Sequence, residues 1–402
     1  MANILDYLSW RGDLTFRQDP FNEVDNLILS ELCFFDFCEV MEESDILNLG
    51  SAASHFFEKY PKESHRLGLL FSPSFEELLD RASHCRRFEN TLVSHPVSIL
   101  KEEPAMQFSA TTFTLEDDSV FVAFRGTDDH IVGWKESFSL GIQDEIPGQS
   151  TALAYLREVL AHTSAPIRVG GHSKGGNLAL YAALHLSDKE RGRIIGIYCN
   201  DSPGFRRDLA DTDAYKSIAD RCLRITPYLS IVGAMLEHGN VNEIVASDGK
   251  GLFQHDAFNW HVQGNRFVRL PDRSKESRQF EYTLRYFLAE LNDDEKREFL
   301  ETYYKLITAS GATTLSELKE DGLRAAQKMA ASLLTLSKDV RQLILRATGI
   351  LFRQIRAVKN EERQRLRAPA VEVNLTEKEF AEHLDEELTT ILDEPKKKKS
   401  KK

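Results

Sequence analysis

Ser173 stands at the centre of Gly171-His172-Ser173-Lys174-Gly175, a G-x-S-x-G pattern. A serine hydroxyl is a weak nucleophile until a histidine can take its proton. It also has to be presented on a sharp turn, clear of its own backbone. The flanking residues suit that presentation. Ile167-Arg168-Val169 reads as a short buried strand, and Asn177 to Leu184, small and apolar, reads as a helix. Glycines two before and two after the serine let strand and helix meet closely. The helix start then points free N–H groups and partial positive charge at an oxyanion formed beside Ser173. The chemistry such a group performs is acyl transfer through a serine ester.

A base and an acid must come from elsewhere. Downstream of the serine lie His185, His238, His255 and His261. His185 belongs to the helix after the turn and points away along it. His238, in Glu237-His238-Gly239, suits a helix end. His255 lies in a loop dense in aromatics, Gly251 to Trp260, which can hold an imidazole rigidly and exclude water. The chain order serine, acid, histidine also favours a late histidine, so His255 is the expected base. For the acid, Asp201 follows directly on an apolar run and would project at the same sheet edge. Its alternative role is turn former in Asn200-Asp201-Ser202-Pro203-Gly204. Asp248 and Asp256 are rivals, although Asp256 neighbours His255 in sequence and would point away from it. The N–H of Lys174 is one expected oxyanion donor, and the N–H or hydroxyl of Thr127 the second. Arg125 is expected to be structural, paired with a carboxylate near its strand end.

The elements that must position these groups follow from apolar patterning. Ala110 to Leu115 and Ser119 to Phe124 read as strands joined at Asp117-Asp118, and the second runs into Arg125-Gly126-Thr127. Ala152 to His162 reads as an amphipathic helix, Ile194 to Cys199 as a buried strand and Cys222 to Thr226 as another. Strands alternating with helices predict an α/β fold with a mostly parallel sheet flanked by helices, active groups lying at the strands' C-terminal ends. Residues 1–100 read as a mainly helical segment packed on a core at 101–272, with a helix opening at Ser74-Phe75-Glu76-Glu77, which has capping-box spacing. Residues 273–360 read as a helical C-terminal extension and 361–402 as a charged, disordered tail ending in lysines.

Composition narrows the function classes. A net charge of −12 argues against general nucleic-acid binding. The five cysteines are odd in number and lack metal-type spacing; Cys33 and Cys38 are expected to be buried thiols. Neither a signal peptide nor a membrane span is expected, which makes a cytoplasmic setting the expectation. No metal and no cofactor is expected. The lysine tail would offer weak contact with a membrane surface, offset by the acidic stretch from Glu377 to Glu394.

Phe124-Arg125-Gly126-Thr127, the serine pattern and the late histidine loop resemble the class 3 (fungal triacylglycerol-type) lipases. The chain is more similar still to an uncharacterised bacterial lipase-like family of unknown function within the α/β-hydrolase superfamily. That resemblance covers roughly residues 1–305. It extends to Asp6-Tyr7-Leu8-Ser9-Trp10-Arg11-Gly12-Asp13, Asn22-Glu23-Val24-Asp25, Ser230-Ile231-Val232-Gly233 and Gln254-His255-Asp256. It implies an α/β-hydrolase fold, Ser173 as nucleophile, His255 as base and Thr127 as oxyanion donor. One departure stands out. Class 3 lipases place their acid just before an Ile-Val-Pro-like turn, where this chain has Ser230. Either Asp201 substitutes, or the site works as a dyad, or activity is reduced. The expectation is a serine hydrolase of carboxylic esters, lipid esters among them. A non-catalytic binding protein of the same fold and an acyltransferase using the same serine stay open.

Overall fold

Val120–Phe124 alternates its side chains between two apolar layers, and that alternation sets the plan of the molecule. Val122 and Phe124 join one buried cluster, and Phe121 and Ala123 join the other. The computed structural model describes residues 1–42, 44–61, 72–237, 243–249, 251–347 and 349. They divide into two compact units, Met1–Arg278 and Gln279–Lys402.

The first unit is α/β. Its strands are β1 (Ile46–Asn48), β2 (Leu92–Lys101), β3 (Met106–Thr114), β4 (Val120–Phe124), β5 (Ile167–His172), β6 (Ile194–Asn200), β7 (Cys222–Pro227), β8 (Glu243–Val245), β9 (Val262–Gln263), β10 (Arg266–Phe267) and β11 (Arg269–Leu270). Among the described residues the main sheet runs β1-β2-β3-β4-β5-β6-β7-β8-β11, and β9 pairs separately with β10. The run from β4 to β8 is parallel, while β1 to β4 and the β8/β11 margin are antiparallel. The register sets Gly171 of β5 between Phe124 and Cys199, so the ends of β4, β5 and β6 lie side by side.

Helices cover both faces. On one lie α1 (Ile4–Arg11), α2 (Glu23–Leu32), α3 (Leu49–Lys59) and α4 (Ser74–His84), with Trp260 from the histidine loop. After α5 (Ile131–Ser139) the chain forms α6 (Pro147–His162) and α7 (Lys174–Leu184), which pack on the other face. Short helices α8 (Asp188–Arg191) and α9 (Asp213–Lys216) lie in the later connections. Helices α1 and α2 start alike. Asn3 and Asn22 each cap a helix whose third residue, Asp6 or Asp25, bonds back to the cap N–H. Asp25 also receives both Nε and Nη2 of Arg87, at 2.7 and 2.6 Å, with both side chains fully buried. Removing one partner of such a pair costs about 3–5 kcal/mol. Helix α1 is tied to the far end of the unit. Val262 N–H donates to Ala2 O (2.9 Å), Asn3 Nδ2 to Phe258 O (2.9 Å) and Trp10 Nε1 to Gly264 O (3.0 Å).

Several details differ from expectation. Residues 1–100 are helical but also hold β1 and most of β2. Strand β2 carries Pro96, and it keeps its place in the sheet through a register irregularity between Ser94 and Val97, where the ladder does not need the missing N–H. Helix α4 begins at Ser74, but Pro73 is the cap residue and makes no side-chain cap bond; Ser72 Oγ accepts from Ser74 N–H instead. Cys33 is buried, whereas Cys38 is exposed, because the chain turns outward in a short 3-10 segment, Phe37–Glu39.

The described residues of the second unit are helical: α10 (Lys275–Ala289), which starts just before the boundary, α11 (Asp293–Thr308) and α12 (Leu315–Thr335), the last kinked at Gly322. Helical backbone resumes over 338–347. Phe287, Leu291, Leu343 and Ala347 form its apolar cluster. The charged tail at 361–402 lies outside the described residues. No helix among the described residues is long and apolar enough to cross a membrane.

Candidate active site

Ser173 joins β5 to α7 with φ +58° and ψ −132°, a left-handed backbone that an ordinary side chain rarely adopts. Tertiary contacts hold it there. Its N–H donates to Asn200 O of the neighbouring strand at 2.9 Å. The glycines around it are a spatial necessity. A Cβ on Gly171 would lie 2.4 Å from Phe124 O, and one on Gly175 would lie 1.9 Å from the same oxygen. Half-buried Ser173 is thereby lifted above the ends of β4, β5 and β6.

The step from β6 into the following loop supplies the carboxylate. Asp201 is fully buried, with φ +40°, and its N–H donates to Ile225 O of β7 at 2.7 Å. Its Oδ2 lies 2.7 Å from His255 Nδ1. A carboxylate oxygen accepts, so Nδ1 carries the hydrogen and Nε2 is left as the accepting nitrogen. Its Oδ1 accepts from Ser230 Oγ and from Gly233 N–H, the latter at 3.0 Å. The approach at Gly233 requires glycine, since a Cβ there would come 2.4 Å from that Oδ1. Ser230 thus stands beside the acid as a donor.

His255 ends a 3-10 segment, Gly251–His255, and its neighbours immobilise it. Gln254 accepts Leu229 N–H on its Oε1 at 2.7 Å and Trp260 Nε1 on its carbonyl at 2.9 Å. The imidazole is half-buried and lies over the ring of His172, centroids 4.4 Å apart and planes 30° from parallel. Burial, and then the neighbouring His172, push His255 below the ordinary histidine range; Asp201 pulls the other way.

The expected oxyanion donors sit on either side of the serine. Lys174 opens α7, and its N–H has no carbonyl in the preceding turn to meet. Its side chain is withdrawn, with Nζ 2.6 Å from both Glu136 Oε2 and Gln107 O and fully buried. Glu136 also accepts Gln107 N–H (3.0 Å) and Gly148 N–H (2.8 Å), so one carboxylate fastens β3, α6 and α7 together. On the other side, a Cβ on Gly126 would be 3.0 Å from Ser173 Cβ, which brings the Gly126-Thr127 turn against the serine. The Thr127 hydroxyl is engaged with Ser137 Oγ at 2.5 Å.

Among the described residues, none of the rival carboxylates is bonded to His255. Asp248 is exposed, with Oδ1 2.8 Å from His261 Nε2. Asp256 caps a short turn, accepting Phe258 N–H at 3.0 Å, and burial pushes it up to about 6. The His185 ring stacks on Tyr181 at 3.9 Å. His238 lies outside the described residues. Arg125 is buried between Asp128 (3.5 Å) and Asp36 (4.0 Å). No group of three or more His, Cys, Asp or Glu among the described residues is placed to hold a metal ion.

Three contributions escaped sequence reasoning. Glu31 of α2 sits 3.0 Å from His172 Nδ1, and both are buried. Asn26 and Asn200 exchange amide bonds at 2.9 and 3.1 Å, joined by Ser30, and so clamp the residue before Asp201. Ser230 donates to Asp201. Glu31 left a signal: it is the charged residue in the apolar run from Leu27 to Leu32, and a buried charge needs a partner.

Comparison with known proteins gives a family and little else. A family model described as Mbeg1-like matches residues 82–305, more than half of the chain. A solved structure described as the crystal structure of M37 lipase matches at a TM-score of 0.32 and 17% identity, covering 52% of this chain and 68% of that one. No curated protein matches.

Proposed function

We propose that this chain, which belongs to the Mbeg1-like family, hydrolyses carboxylic esters through an acyl-enzyme on Ser173. The observation that carries the reading is the Asp201–His255 bond of 2.7 Å, its imidazole stacked on the residue before a serine held on a strained strand-to-helix turn. His255 Nε2 takes the proton of Ser173 as Oγ bonds the acyl carbon. The tetrahedral oxyanion is received by the N–H groups of Lys174 and Thr127. His255 then gives its proton to the leaving alcohol. A water, deprotonated by the same nitrogen, attacks the ester carbon and releases the acid and the serine. Asp201 keeps the imidazole in the tautomer that accepts at Nε2 and stabilises the imidazolium between steps. The acid of the triad, in this reading, is Asp201 rather than a residue at the Ser230 position.

The test is covalent labelling. Wild type treated with a fluorophosphonate should gain one phosphonyl adduct, mapped by peptide mass to Ser173, and Ser173→Ala should gain none. Ester turnover should vanish with the same variant. A folded wild type that neither labels nor turns over any of a panel of short- and long-chain esters would overturn the proposal in favour of a non-catalytic binding protein.

A further inference from the structure

Two imidazoles lie face to face at the elbow, and only one of them belongs to the chemistry just described. His172, immediately before Ser173, is almost fully buried. Its Nδ1 lies 3.0 Å from Glu31 Oε1, and Glu31 comes from α2 on the covered face of the sheet. Its Nε2 has no hydrogen-bond partner among the described residues, and Glu31 is the first of the carboxylates that favour its charge. Phe34 and Trp260 close its edges, with ring centroids 6.4 and 6.1 Å away. The charged groups run in a line: Glu31, His172, His255 and Asp201.

We infer that Glu31 holds His172 as a buried cation, and that this cation, stacked on His255, keeps the base unprotonated and so sets the lower pH limit of the reaction. The inference rests on the reading of His255 as the base. The physical reason is like-charge repulsion. Protonating His255 would set two cations ring to ring, with little water between them to screen the repulsion. Asp201, on the opposite edge of His255, opposes this effect. Glu31 reaches His255 only across His172, and Asp256, from the histidine's own loop, acts chiefly on His172. The directions agree with the geometry. Burial alone would depress His172, but Glu31 first, then Asp201 and Asp256, raise it above the ordinary range, and His172 in turn depresses His255. His172 is therefore a positioning residue in the electrostatic sense. It touches the base through its ring face.

Two readouts test this, and one needs no catalysis. In the Ser173→Ala protein, the ring nitrogens of His255 and His172 are titrated by NMR. His172→Gln, which still offers Glu31 a donor, should raise the His255 midpoint by about one pH unit, a tenfold change in proton affinity. Glu31→Gln should lower the His172 midpoint by at least about one pH unit, since burial is then opposed only by the more weakly acting Asp201 and Asp256. In the active protein, the acid limb of kcat/KM should move up with His172→Gln by the same amount as the NMR midpoint. A merely structural role would lower the rate evenly across pH and leave the limb in place. An unmoved His255 midpoint in His172→Gln, or an unmoved His172 midpoint in Glu31→Gln, overturns the inference. Shifts in both midpoints in a protein that turns over no ester would keep the electrostatic inference and remove the proposed function instead.

Discussion

Asp201 accepts from Ser230 and Gly233 on one oxygen and from His255 on the other, so both oxygens of its carboxylate are engaged. An amide in its place would turn an NH2 group toward one of those donors. His255 can meet that NH2 by taking its other tautomer, so Asp201→Asn should keep its melting temperature within a few degrees yet lose about 10⁴-fold in ester turnover, the scale seen when a triad aspartate becomes an amide. Steady-state kinetics and a thermal melt on the same preparation decide it, and full activity would remove Asp201 from the mechanism. The residue at the class 3 acid position carries its own expectation. Ser230→Asp would exchange a donor for a second buried carboxylate beside Asp201, and both could not stay ionised at neutral pH. Turnover near pH 7 should fall at least tenfold, where Ser230→Ala, which keeps the Gly233 donor, should fall less. Equal losses in both variants would show that the hydroxyl bond itself, rather than the added charge, is what matters.

Whole elements meet at this site through backbone approaches that side chains cannot share. Gly175 lets α7 sit against the end of β4, and a methyl group there would lie 1.9 Å from a carbonyl oxygen. Gly175→Ala should cost about 3 kcal/mol or more, or prevent folding, because neither strand nor helix can yield. Gly192 closes α8 in an ordinary right-handed conformation, φ −61°, and a methyl group there would have its nearest neighbour at 3.4 Å. Gly192→Ala should be neutral or gain up to about 1 kcal/mol by restricting the unfolded chain. Urea midpoints compare the pair, and a large loss at Gly192 would undo the argument. This is also the scale at which the chain was most and least readable. The strand-turn-helix around Ser173 announces itself because its small residues are contiguous. Strand β2 hides because His95-Pro96 looks like a terminator until the neighbouring strand shows where its ladder skips. The late aromatic loop showed where His255 would be held, but not by what. The Gln254 clamp and the Asn26–Asn200 exchange depend on residues far apart in sequence, and no local pattern records them.

For the molecule as a whole, the two stacked histidines bend stability against pH in opposite directions. His172 holds its proton more tightly folded than unfolded, so its contribution is complete below about pH 6.5 and fades as pH rises through its raised folded value. His255 holds its proton less tightly when folded, so it costs stability as pH falls below about 6.5. Relative to wild type, His172→Gln should therefore lose more stability at pH 5.5 than at pH 9, and His255→Gln should lose less at pH 5.5 than at pH 9. Denaturant midpoints at the two pH values measure this, and parallel losses at both would refute it. The ties between α1 and the strand after the histidine loop bear on how the protein comes into being. Ala2, Asn3 and Trp10 receive or give bonds to Val262, Phe258 and Gly264, so the first helix waits for partners made much later. A chain leaving the ribosome exposes the apolar face of its early helices until those partners emerge. Ser173 is made well before His255. While the chain is tethered it holds that serine under an open core, without the imidazole that the proposed reaction needs, so this is the interval in which chaperones would meet it.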